Sequence, residues 1–228
     1  MPAEFDEYAQ TYSELLKDPL RERFASGDHF FARRKLDLIR DFFRRQGRDT
    51  REMRWMDAGC GQGDLIRLGQ PYFGAVAGCD PSAQMLAQCQ DLEIRHQELP
   101  DRIPFDDQSF ELITAVCVYH HVELELRDAF TREALRVLKP GGIFCIVEHN
   151  PFNPITQVIV HRCPVDKQAR LLSARTARKI LHKAGMQIID TRYFLYFPER
   201  IHRAVSHLED QMVSIPLGGQ FVVFGRKS

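Results

Sequence analysis

Two histidines stand side by side at His120-His121, and a carboxylate followed by a third imidazole stands at Glu148-His149. An imidazole with an ordinary pKa near ~6.5 accepts a proton at neutral pH. Held on a substrate hydroxyl, such a base is worth roughly 10²–10⁴ in rate. A carboxylate beside the ring can hold the tautomer that takes the proton. Each pair closely follows an apolar run, Phe110–Val116 or Ile143–Val147. In an open α/β sheet, ligands gather beyond the carboxyl ends of such strands. His120, His121, Glu148 and His149 are therefore the candidates for acid–base chemistry. The plainer alternatives are a ring that caps the next helix and, for Glu148, a surface acid before an Asn-Pro turn.

A different chemistry is carried by Trp55-Met56-Asp57-Ala58-Gly59-Cys60-Gly61-Gln62-Gly63, a short apolar approach ending on a carboxylate and then three alternating glycines. Asp64-Leu65-Ile66-Arg67-Leu68 can start a helix directly afterwards. Strand, glycine turn and helix N-terminus together form a nucleotide-binding device. The dinucleotide pattern G-x-G-x-x-G would place its third glycine at 64, where the chain has Asp64, and a carboxylate there repels a pyrophosphate. No Gly-Lys-Ser/Thr follows either, so a P-loop is excluded. A second short strand, Ala75-Val76-Ala77-Gly78-Cys79, ends on Asp80, at the interval where doubly wound folds place an acid on ribose hydroxyls. A loop that avoids phosphate, joined to a ribose-binding acid, fits S-adenosylmethionine.

With these motifs the chain resembles the class I S-adenosylmethionine-dependent methyltransferases. The residues that carry the resemblance are Asp57–Gly63, Gly78-Cys79-Asp80-Pro81-Ser82, Ile103–Glu111 and Leu138-Lys139-Pro140-Gly141-Gly142, in the family's order across 55–147. The resemblance implies an α/β, Rossmann-like three-layer sandwich on a seven-stranded, mostly parallel sheet of order 3-2-1-4-5-7-6 with strand 7 antiparallel. It implies a cofactor site built from Tyr12, Asp57, Ala58, Gly59, Cys60, Gly61, Gly63, Asp80, Pro81, Ser82, Met85, Glu98, Leu99, Ala115, Val116 and Cys117. Similar sugar and phenol O-methyltransferases use a histidine in the loop of His120-His121 and place an acid near Glu148. The expected activity is methyl transfer to an oxygen or nitrogen of a small molecule, with S-adenosylhomocysteine as product. A protein or peptide side chain as acceptor, or a cofactor-binding module without catalysis, are the alternatives.

Composition fits an ordinary enzyme. The 31 basic and 31 acidic residues cancel, so no global field steers the chain toward nucleic acid or an anionic membrane. No run approaches the ~20 apolar residues that span a bilayer, and no signal peptide is evident. The six cysteines are scattered, without metal or disulfide spacing. A cytoplasmic monomer or homodimer with reduced thiols and no metal site is expected.

The elements that must position these groups are read as one domain over 1–228, with a helical lid over 1–46 and a substrate-side insertion over 150–173. A helix is expected over 3–17, stopped by Asp18-Pro19, with Tyr8 and Tyr12 either reaching the cofactor or merely packing. A second helix, about 28–46, carries Lys35 near its start, where it could meet an acidic group over the pocket. Helices at about 124–138, 174–184 and 199–208 and strands at 92–97, 186–195 and 219–225 complete the core. Lys139-Pro140-Gly141-Gly142 is expected to stop a helix and turn the chain.

Overall fold

The computed structural model describes residues 5–25 and 28–228. A 3-10 turn at Asp6–Tyr8 precedes α1 (Tyr12–Leu15), α2 (Pro19–Phe24) and α3 (Asp28–Arg45). Then follow β1 (Arg54–Ala58), α4 (Asp64–Gly69), β2 (Ala75–Asp80), α5 (Ala83–Leu86), β3 (Ile94–His96) and β4 (Phe110–Val116). The second half contains α6 (Leu124–Val137), β5 (Leu138–His149), α7 (Pro154–Arg162), α8 (Ala174–Lys183), β6 (Gln187–Phe194), α9 (Glu199–Met212) and β7 (Gln220–Arg226).

The seven strands form one sheet of order β3-β2-β1-β4-β5-β7-β6, as the motifs imply. β1 through β5 pair in parallel, and β7 runs antiparallel to both β5 and β6. Successive side chains of a strand point to opposite faces, and the core divides accordingly. Met56, Ile113, Ala115, Phe144, Ile146, Phe221 and Val223 pack on one face with α6 and α8. Trp55, Leu112, Ile143, Cys145, Val147, Val222 and Phe224 pack on the other, with α3 and α4. Phe42 of α3 stacks on Phe224 with 4.0 Å between ring centroids and 6° between planes. Coverage of both faces explains why β4, β5 and β7 are continuous apolar runs.

Three expectations about the elements are corrected. The N-terminal helix is not continuous: a 3-10 turn and the four-residue α1 replace it, and residues 3 and 4 of the expected span lie outside the described residues. Asp18-Pro19 opens a helix, because the Asp18 carboxylate accepts from Leu20 N (2.8 Å) and Arg21 N (3.2 Å) with proline in the first turn. Lys139-Pro140-Gly141-Gly142 is looped out of a strand that starts directly after α6, since Phe110 pairs with Leu138 whereas Leu112 pairs with Ile143. The insertion over 150–173 contains α7, capped by Asn153, and a 3-10 turn at Pro164–Asp166. Among the described residues no helix is long and apolar enough to cross a membrane.

Candidate active site

A cavity of about 730 Å³ opens at the carboxyl ends of β1, β2, β4 and β5. One end is the glycine loop. Gly59 and Cys60 donate their N–H groups to Cys79 O at 2.8 and 3.0 Å, tying the loop across β2. Gly59 and Gly61 have φ of +75° and +53°, a region that side chains disfavour. A Cβ on Gly59 would come within 2.5 Å of Val118, whereas one on Gly61 would meet open space. Asp80 closes the cradle: its carboxylate accepts from Gly61 N and Ser82 N, each at 2.8 Å. Burial raises the Asp80 pKa and these two N–H groups only partly offset it, so the carboxyl sits above the usual range. A bare backbone edge beside a buried, half-satisfied carboxylate fits a nucleoside with ribose hydroxyls to donate. S-adenosylmethionine passes this test, and a pyrophosphate, facing Asp80, does not.

Beneath the loop, Asp57 is buried and accepts from Thr114 Oγ1 at 2.5 Å, and Thr114 in turn accepts from Trp55 Nε1 at 2.9 Å. Burial lifts its pKa to about 7, against the opposing pull of the Thr114 hydroxyl and the Lys35 ammonium. A folded-state pKa above the ordinary 3.8 means stability is present below pH 3.8 and lost as pH climbs to about 7. Asp57→Asn keeps an acceptor for Thr114 and removes the titration. The melting-temperature advantage of D57N over the parent chain should therefore grow from pH 4 to 7 and level off above. A difference independent of pH would overturn this assignment.

The other end of the cavity is a wall of imidazoles and carboxylates. Glu148 is fully buried at the end of β5 and receives Tyr119 N at 2.7 Å and His120 Nδ1 at 2.5 Å. Across the cavity, Asp166 Oδ1 of the insertion lies 3.5 Å from His120 Nε2 and 3.3 Å from His121 Nε2. Burial alone would lower the His120 pKa, but Glu148 and Asp166 outweigh it and hold the ring well above its ordinary value. Burial opposes ionisation of Glu148 and Asp166 too, yet the histidines keep both carboxyls below their usual range. His121 packs edge-on against Phe5 at 4.8 Å, and its buried Nδ1 has no hydrogen-bond partner among the described residues. His149 lines the same wall, 3.4 Å from Gln220 Nε2.

Of the residues singled out in the sequence, Tyr12, Gly59, Gly61, Asp80, Pro81, Met85, Val116, Cys117, His120, His121 and His149 line the cavity. Asp57, Ala58, Cys60, Gly63, Ser82, Ala115 and Glu148 stand behind that lining and shape it. Glu98 and Leu99 are brought to neither place: both are exposed, and Gln97 and Pro100 line the cavity beside them. The physical reason is a turn in which the buried Gln97 amide donates to Leu99 O (3.2 Å) and Pro100 O (3.3 Å), facing Glu98 and Leu99 outward. Tyr8 is also outside the lining. Lys35 does reach it, and its ammonium, with His149, lowers the Cys117 thiol to about 7 although burial acts the other way. Cys117 has φ of +57°, a strained backbone at the carboxyl end of β4. Asp166 and Gln220 are site residues that sequence reasoning missed. The one available signal was that Asp166 is the only acid between 151 and 173.

The chain's comparisons with known proteins agree with this geometry. Residues 56–146 match the methyltransferase-domain family. The chain is 36% identical over 166 residues to a demethylmenaquinone methyltransferase of Chlorobaculum parvum, covering 70% of this chain and 63% of that protein. It is 34% identical over 119 residues to the uncharacterized methyltransferase YcgJ of Bacillus subtilis, covering 48% and 46%. A crystal structure from Thermotoga maritima, described as a possible histamine N-methyltransferase, superposes with a TM-score of 0.69 at 18% identity and 99% coverage of both chains. The chain spans 46–63% of the length of these curated relatives. Sheet order, glycine cradle and sequence matches converge: the chain belongs to the class I S-adenosylmethionine-dependent methyltransferase family.

Proposed function

We propose that this protein transfers a methyl group from S-adenosylmethionine to an oxygen or nitrogen of a small, largely apolar molecule. The observation that carries the reading is the continuity of one cavity. Gly59, Gly61, Asp80 and Gln97 wall one end, and His120, His121, His149 and Asp166 wall the other. Between them lie Phe5, Leu16, Phe24, Leu126, Ile155 and Ile159, a lining suited to an apolar acceptor.

When bound, S-adenosylmethionine supplies an electrophilic methyl on a sulfonium. The chain's own residues hold and align the reactants, an effect worth up to ~7–11 kcal/mol. Asp80 would accept from the ribose hydroxyls, the Gly59–Gly61 backbone would follow the methionyl part, and Asp57 would stand behind the loop on the side of its ammonium. His120, fixed between two carboxylates, orients the wall. The N-terminal segment excludes water. Gln62 Nε2 and Gln88 Nε2 donate to Ala9 O at 2.7 and 3.2 Å, and Ser82 Oγ donates to the Asp6 carboxylate at 2.7 Å. On the far side Arg162 of α7 comes within 4.0 Å of Asp18, bridging lid and insertion.

This bridging also weighs against a protein side chain as acceptor, which needs an open groove. The similarity to a demethylmenaquinone methyltransferase makes quinones and quinols the first acceptors to try. Incubation with methyl-labelled cofactor and a panel of quinols, phenols and amines should give a labelled small molecule. Binding of cofactor with label transferred only to polypeptide would replace this reading with the protein-side-chain one.

A further inference from the structure

We propose that His120, His121 and Asp166 form a binding site for a first-row divalent cation, with its open positions facing the cavity. His120 Nε2, His121 Nε2 and an Asp166 oxygen all lie within 4.8 Å of one another. The two contacts to Asp166, 3.5 and 3.3 Å, are too long for charge-assisted hydrogen bonds, which run at ~2.7–2.9 Å. They match the ~3.4 Å edge of a tetrahedron whose ligands stand ~2.1 Å from a central ion.

The surroundings have the form of a metal site as well. His120 gives its Nδ1 to the buried Glu148 at 2.5 Å, leaving Nε2 for the ion. A carboxylate behind a ligating imidazole fixes the ring and raises its basicity. Glu148 is itself held by Tyr119 N, and the His120 carbonyl accepts from Arg170 N at 2.8 Å, so the ring is anchored from both sides. Two imidazoles and one carboxylate suit zinc, iron or cobalt better than magnesium or calcium. All three ligands line the cavity, so the remaining positions face the space assigned to the methyl acceptor. An acceptor hydroxyl bound there would be oriented and made more acidic. This role at the acceptor rests on the proposed methyl transfer; the site itself does not. The expectation of no metal site followed from spacing rules, which miss ligands at 120, 121 and 166.

The test is metal binding by the full chain without cofactor or acceptor. Calorimetric titration with Zn²⁺ should give one site per chain, and Co²⁺ should develop visible absorption. His121→Ala and Asp166→Asn should each weaken binding at least 100-fold while keeping S-adenosylhomocysteine affinity. Glu148→Gln should weaken it about 10–100-fold through His120. Absence of Zn²⁺ binding at millimolar concentration, or undiminished binding by H121A and D166N, overturns the proposal. Failure of methyl transfer in the metal-loaded protein would instead count against the proposed function, since the two readouts are separate.

Discussion

Asp80→Asn should raise the dissociation constant for S-adenosylhomocysteine about 100-fold, corresponding to ~2.7 kcal/mol. The side chain now accepts two N–H groups, from Gly61 and Ser82, with one oxygen each. An amide can satisfy only one of them, and its NH₂ then faces the other donor. A buried N–H left without an acceptor costs ~1–3 kcal/mol. The same change removes the acceptor on which ribose hydroxyls would rest, so loop geometry and ligand contact fail together. S-adenosylhomocysteine is the better probe, because it lacks the sulfonium charge and has no methyl to transfer. Isothermal calorimetry, with circular dichroism to verify the fold, measures the effect. An affinity within threefold of the parent chain would mean that Asp80 braces the loop and holds no cofactor.

How much of this was legible in advance depends on where each feature takes its cause. The β1–loop–α4 unit was readable because its determinants are local: an apolar strand, Asp57, and glycines where the backbone needs positive φ. Sheet order was implied by the family resemblance that the motifs carry, and the apolar runs of β4, β5 and β7, buried on both faces, fit it. The N-terminal helix misled because its partners are distant. Asp6 bonds Ser82 and Gln84 N, and the Ala9 carbonyl is taken by Gln62 and Gln88, so tertiary bonds compete with helical pairing. Asp18-Pro19 was ambiguous in itself, because the same dipeptide that ends one helix caps the next. Asp166 was invisible for another reason: only folding brings the insertion over the His120-His121 loop, and no spacing rule spans that gap.

The wall that Asp166 completes depends on Glu148, and Glu148→Ala should destabilise the protein by about 3–5 kcal/mol, as for other broken buried ion pairs. Glu148 has 0% exposure and receives two donors, Tyr119 N at 2.7 Å and His120 Nδ1 at 2.5 Å. Alanine leaves both without an acceptor and removes the carboxylate that the buried His120 ring faces. For a chain of this size each kcal/mol shifts the melting temperature by ~2–4 °C, so a fall of roughly 6–20 °C is expected. Glu148→Gln, which retains an acceptor for Tyr119 N, should fall less. The double replacement His120→Phe with Glu148→Leu should recover part of the loss, because apolar side chains of similar volume substitute well for a buried pair while Tyr119 N stays without its acceptor. It should at the same time leave the cavity unable to act on an acceptor. Recovery of stability without recovery of turnover would place Glu148 and His120 in the protein for the site they build, since the fold can be held without them. A melting temperature unchanged in Glu148→Ala would show that water reaches this pair and that the wall is solvated.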